Sequence, residues 1–215
     1  MKIFKRLKLE LKNLRGFYWL PVTGLLILLP IIAQVYVRSS GVYEAYYLTI
    51  ETAQWMNLLM APLWNILLMR PFFHFNGKEL FLLCNDRYDN LLLRTLCMTG
   101  WYLVHTLLFM AFCFCFFKQN VLPFWALIAA QALFINGLCY LLAIFCRNTF
   151  IPVIFTVSYC VIFGLMVWVS DLSVFMMNGA FVAEPALIVQ KVLTALIAAG
   201  LFFAAGAPLE RGLYK

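Results

Sequence analysis

Two histidines and seven cysteines are the side chains in this chain with nucleophilic or metal-ligating chemistry. His74 and Cys84 lie close together in one short segment, and a thiol beside an imidazole is the pairing of a nucleophile with its base. His105 sits in an apolar stretch with no other ligand type at helical spacing. That reads as a packed or hydrogen-bonded histidine rather than a metal ligand. The cysteines are Cys84, Cys97, Cys113, Cys115, Cys139, Cys146 and Cys160, with no CxxC among them. Most fall in or beside apolar stretches and read as small hydrophobes. Cys113 and Cys115, two apart, point in roughly opposite directions on a helix. There is no GxxxxGK[ST] phosphate loop, no HExxH and no GxSxG. These residues predict no catalytic, cofactor or metal site carried by this chain itself.

The elements that must position these groups belong to a membrane protein. Of 215 residues, 65% are hydrophobic and 12% charged, more apolar surface than a water-facing exterior can hide. A spanning helix needs roughly 20 mostly apolar residues. Six blocks of about that size occur: Leu20–Val37, Glu51–Phe73, Leu96–Phe117, Phe124–Phe145, Phe150–Val169 and Leu187–Ala207. Period-two alternation, the mark of a β-barrel, is missing from stretches such as Leu25–Ile32. The expected fold is therefore an all-α integral membrane protein with six transmembrane helices, residues 20–215, behind an amphipathic interfacial helix at 1–19.

Charge sets the orientation. With the N-terminus in the cytoplasm, thirteen of the sixteen Lys and Arg residues face inward, leaving Arg38, Lys118 and Lys191 outside. Both termini are then cytoplasmic in a multi-pass protein of the cell membrane. Lys191 reads as snorkelling to the headgroups. The net charge of +7 reports orientation in part, not affinity for nucleic acid, which needs a water-facing basic surface. The basic, then apolar, first 40 residues also match a secretory signal peptide. The long basic stretch and the membrane-embedded remainder favour a retained first span.

Two pieces break the apolar pattern on the cytoplasmic side. Over residues 2–18, Ile3, Phe4, Leu7, Leu11, Leu14 and Tyr18 recur at three- and four-residue spacing among lysines and arginines. Such a helix lies in the headgroup region against anionic membrane lipids. The second piece, His74–Leu96, opens with the turn signal Asn76-Gly77 and offers a short helix over Lys78–Cys84. Its apolar Phe81, Leu82 and Leu83 make a docking surface or an interfacial turn resting on lipid.

Polar residues inside spans are costly and face protein or a cavity. Glu51, Gln54, Asn57 and Asn65 share an arc on the second span. Thr23, Pro30 and Gln34 share one on the first, and Thr149, Pro152, Thr156 and Tyr159 one on the fifth. These stripes mark a pathway or dimer interface, or else ordinary interhelical hydrogen bonds. On the sixth span, Ala195, Ala199, Gly200 and Ala204 have the spacing of small residues that permits close packing.

The stretches KIFKRLKLELKNLRGFYWL, NGKELFLLCNDRYDNLLLRTL and LLAIFCRNTFIPVI resemble three parts of one family. It is the transmembrane (permease) subunit of ABC-2-type transporters, six-helix exporters energised by a separate ATPase. The first is similar to the family's amphipathic connecting helix, and the second to its loop between spans two and three. The third is similar to its tight inner turn between spans four and five. Ser170–Pro185 has the place of the outer hairpin before span six. Gly77, Glu79, Leu82, Leu83, Arg87 and Leu92 fit the loop pattern, but Asn85-Asp86 stands where the family has a proline.

The resemblance implies a non-catalytic permease subunit that pairs with a second permease, identical or related, and with two copies of an ABC ATPase. ATP and Mg would reside on those partners. It implies ATPase coupling through Gly77, Lys78, Glu79, Phe81, Leu82, Leu83 and Arg87, and export of an antimicrobial peptide, a drug or a lipid-like substrate. Two rivals stand beside it. One is a membrane-embedded cysteine peptidase using His74 and Cys84, though the glycine-rich context of that family's histidine is lacking. The other is a membrane assembly protein that transports nothing.

Overall fold

The computed structural model describes residues 11–12, 14–74, 91–165, 174 and 185–213. The described residues form helices and short turns, with no strand. We number the long helices α1 (Arg15–Ser40), α2 (Val42–His74), α3 (Leu91–Phe117), α4 (Leu122–Cys146), α5 (Phe150–Leu165) and α6 (Pro185–Leu213). Six helices stand where the sequence predicts six spans. Four of them, α1, α3, α4 and the Ala186–Gly212 part of α6, are long and apolar enough to cross a membrane. Helix α2 is the longest at 33 residues, but Glu51, Gln54, Asn57 and Asn65 dilute its apolar run. Helix α5 is strongly apolar, yet its 16 residues fall short of the roughly 20 a span needs.

Several predicted features lie outside the described residues. They are most of the 2–18 helix, the coupling residues Gly77, Lys78, Glu79, Phe81, Leu82, Leu83 and Arg87, Cys84, and nearly all of Ser170–Pro185. Arg15 has φ 47°, a left-handed conformation that no α-helix continues through. Arg15–Tyr18 forms the first turn of α1.

The chain reverses through very short turns. Gly41 alone separates α1 from α2, at φ 83° and ψ 166°, a region open essentially to glycine. Its N–H donates to the Val37 carbonyl (3.2 Å), and its carbonyl accepts from Ala45 (3.0 Å). Lys118 and Arg147, at φ 54° and 49°, end α3 and α4 in the same left-handed way that many helices end. An asparagine within two residues of each leads into the next helix: Asn120 Oδ1 accepts from Leu122 N–H (3.2 Å) and Asn148 Oδ1 from Phe150 N–H (2.8 Å). Within α1 a π turn over Gly24–Leu28 precedes Pro30, whose nitrogen cannot donate to the Leu26 carbonyl.

Helix α4 is the centre of the bundle, packed against α2, α3, α5 and most extensively α6, while α1 lies against α2 and α3. The two long stretches of core follow from this. One runs through Leu29, Ala33, Ile50, Leu58, Trp64, Tyr102, Phe109, Leu127 and Ile135. The other, Met69, Phe72, Leu91, Tyr140, Ala143 and Ile144, closes the end of the bundle where α3 begins. Outward faces are also apolar: Ile27, Ile31 and Val35 on α1, Leu107, Leu108 and Phe114 on α3, Ile154 and Phe155 on α5, and Leu193, Ile197 and Leu201 on α6 are exposed. A bundle apolar on both its inner and outer surfaces suits a lipid solvent.

Helix α6 corrects two expectations. Lys191 is buried at 4% exposure rather than extended toward headgroups. Of the small residues, Ala195 and Ala199 face the bundle, whereas Gly200 and Ala204 are exposed. The close approach to α4 is made instead at Gly137, near the Ala199 carbonyl and Phe202, and at Gly206, against the Tyr140 ring.

Candidate functional site: a buried polar ladder around the central helix

The polar side chains of α2 that share an arc do face one way, and what they face is α4 and α3 of the same chain. Gln131 of α4 donates through Nε2 to Gln54 Oε1 (2.8 Å) and to the Val174 carbonyl (2.9 Å). Asn57 Nδ2 donates to the Ile128 carbonyl (3.0 Å). Asn65 Nδ2 donates to Asn136 Oδ1 of α4 (2.7 Å) and to Thr99 Oγ1 of α3 (3.1 Å). Gln54, Asn57, Asn65, Gln131, Asn136 and Thr99 are all essentially fully buried. The stripe on α2 is thus a hydrogen-bonded seam inside one chain. Its remaining acceptors, Asn57 Oδ1, Asn65 Oδ1 and Gln131 Oε1, have no hydrogen-bond partner among the described residues. Glu51 is only half-buried.

The other stripes divide. Thr149, just before α5, and Pro152 and Thr156 on it are buried against the bundle. Thr156 Oγ1 donates to the Pro152 carbonyl (2.7 Å) and lies 3.1 Å from Cys139 Sγ of α4. Tyr159 accepts from Val174 N–H (3.4 Å), and its ring packs 5.5 Å from that of Phe134. On α1 the stripe faces outward. Thr23 and Gln34 are exposed, and Thr23 Oγ1 donates back to the Trp19 and Leu20 carbonyls (2.8 and 3.1 Å). Thr23 also borders a shallow apolar groove with Gly24, Ile27, Met56 and Met60 on the outer side of α1 and α2.

His105 is packed and hydrogen-bonded, as its isolation in the sequence predicts. It is 2.9 Å through Nδ1 from the Trp101 carbonyl and 3.2 Å through Nε2 from the Tyr18 hydroxyl. A carbonyl can only accept, so Nδ1 carries the proton, and Nε2 accepts from Tyr18. Tyr18 in turn stacks on Trp64 (5.2 Å, 4°). This cluster ties the first turn of α1 to α2 and α3. Among the described residues, no group of three or more His, Cys, Asp or Glu side chains is placed to hold a metal ion. Cys113 is buried and Cys115 exposed, the opposite directions their spacing predicts.

The site that sequence reasoning missed is Glu210, near the end of α6 and only 3% exposed. Its Oε1 accepts from Leu91 N–H, and its Oε2 from Leu92 N–H (3.1 Å) and the Tyr140 hydroxyl (2.5 Å). The first N–H groups of a helix have no partner within the helix, and a carboxylate there also meets the positive end of the helix dipole. One side chain thereby joins α3, α4 and α6. A signal was present: Glu210 is the lone carboxylate of α6, one turn beyond Gly206. Gln131 and Asn136 were equally visible as polar residues in a very apolar span, where each is costly unless bonded.

Interhelical hydrogen bonds within membranes contribute about 0.6 kcal/mol on average and up to ~1.7. Asn65 and Asn136 are expected to lie near the top of that range, because neither can reach water. A double-mutant cycle of Asn65→Ala and Asn136→Ala should give a coupling of about 1 kcal/mol by unfolding in mixed micelles. Strict additivity of the two changes would show that the pair contributes nothing. No protein-family model matches this chain, and neither a curated protein nor a solved structure matches it.

Proposed function

We propose that this chain is a six-span protein of the cell membrane, with both termini cytoplasmic, that serves as the permease subunit of an ABC-2-type transporter. On this reading α2 and α5 also cross the bilayer. α2 tolerates its polar residues because Gln54, Asn57 and Asn65 are bonded to α3 and α4. The end holding Arg147, Leu91 and Glu210 is the cytoplasmic one, by the bias of Lys and Arg.

The observation that carries the proposal is the join at Leu91. There the 75–90 segment, which resembles the family's coupling loop, returns to the bundle, and Glu210 bonds that point to α6 and α4. A segment seated in a cleft of an ATPase can transmit motion only if its root is held firmly by the spans. Closure of two ATPase subunits, which bind ATP and Mg, would push on residues 78–87 and tilt the helices of two paired permeases. The substrate class in this reading is an exported antimicrobial peptide, drug or lipid-like molecule.

The test is co-purification of the tagged chain from its native membranes in mild detergent. A stoichiometric ATPase whose hydrolysis rate changes when this chain is present supports the assignment. A chain recovered without any ATPase, and active without ATP, overturns it. The Cys84→Ala variant, run in parallel, is expected to keep activity; its loss would point to a thiol enzyme instead.

A further inference from the structure

The Glu210 carboxylate does more than end a helix neatly. It accepts from the opening N–H groups of α3 and from a hydroxyl of the most buried helix. Beside them lies the apolar cluster of Met69, Phe72, Ala143 and Ile144, with the Arg94 guanidinium over the Phe72 ring. If the carboxylate withdraws, two backbone donors and a phenol each lose a hydrogen bond away from water, which is unfavourable. Separation of α3 from α6 is therefore opposed at this one point. Gly206, one turn earlier, lets the α6 backbone close on the Tyr140 ring and sets the carboxylate within reach.

We propose that Glu210 is a latch that makes the ends of α3, α4 and α6 move as one body. A displacement delivered at Leu91 is thereby passed to three helices together. The latch is a property of the chain alone; its purpose, carrying motion from the 75–90 segment, rests on the transporter reading. Glu210 acts here as a positioning residue and touches no substrate.

The experiment uses the full chain in lipid nanodiscs, with its native cysteines replaced by alanine and nitroxide labels at Leu93 of α3 and Leu209 of α6. Both positions are exposed. Pulsed electron resonance should give one narrow distance distribution. Glu210→Gln leaves an amide that can accept at only one atom, and the distribution is expected to widen about twofold as local opening becomes accessible. Asn65→Ala, which breaks a different buried junction, should leave the width unchanged. An unchanged width in Glu210→Gln, or equal widening in Asn65→Ala, overturns the latch. Should Glu210→Gln not be recovered from membranes, Glu210→Asp is measured against the same two outcomes; it keeps the charge but withdraws the carboxylate by one methylene.

A second arm uses the complex with its ATPase. There Glu210→Gln should retain the bound ATPase while transport per ATP falls about tenfold, a coupling loss of ~1.4 kcal/mol. Unaltered coupling overturns the proposed purpose of the latch. If no ATPase accompanies the wild-type chain, the transporter reading fails, and the distance measurement still decides whether the latch exists.

Discussion

Gly206→Ala is expected to destabilise the chain by about 2 kcal/mol, the net of a steric cost of ~3 kcal/mol and a helix-propensity gain of ~1. A Cβ on residue 206 would sit 2.9 Å from Cδ1 of Tyr140 and still nearer to Cε1. The ring has no escape. Tyr140 is fully buried, its hydroxyl is bonded to Glu210, and the Phe203 ring packs 5.7 Å away. Either α6 moves off α4 or the Tyr140–Glu210 bond breaks. Gly200→Ala is the matched control, since nothing lies within 4 Å of its added carbon. It should be neutral or slightly stabilising. Equilibrium unfolding in mixed micelles checks both. Tyr140→Leu placed in the Gly206→Ala background should recover part of the loss by removing the clash. Equal stability of Gly206→Ala and wild type would show that α4 and α6 do not meet as closely as described.

The second large effect concerns the proposed assembly. Phe81→Asp with Leu82→Asp is expected to abolish ATPase recruitment and reduce transport to background. Docking contacts of large apolar residues are often worth about 2 kcal/mol each. Two such losses, ~4 kcal/mol, weaken binding roughly a thousandfold before any cost of burying charge is added. Phe81→Ala with Leu82→Ala should weaken recruitment without eliminating it. The checks are the amount of ATPase co-purified per chain and substrate flux in proteoliposomes, at equal chain levels in the membrane. Full recruitment by the Asp variant would remove 75–90 as the ATPase contact, and with it the main support for the transporter reading.

The positions of the six helices were legible in the sequence because apolar length is a local property. A run such as Leu127–Leu133 excludes a half-exposed strand whatever surrounds it. Helix ends were less legible: α1 begins five residues before Leu20 and α2 nine before Glu51, because helices continue past the apolar block into polar residues. That Gln54, Asn57 and Asn65 share one face also follows from their spacing. Their partners did not, since Gln131 and Asn136 lie more than 70 residues away, and nothing local pairs them. The arc on α1 shows the converse. Thr23 and Gln34 share a face, but periodicity says only that they point together, not that they point inward.

The 75–90 segment and the amphipathic start remain the features on which the functional proposal depends, and both are sequence features. What composition and hydropathy determined was the helical class and the places of the long apolar helices among the described residues, because each follows from transfer of apolar residues out of water. Only the tertiary structure decided that α4 is the centre, that the α2 stripe is a seam within one chain, and that Lys191 is buried. It also decided that Glu210 joins three helices. A carboxylate near the end of a helix reads in sequence as a solvated charge; Leu91, Leu92 and Tyr140, which bond it, lie on segments that become neighbours only when the bundle closes.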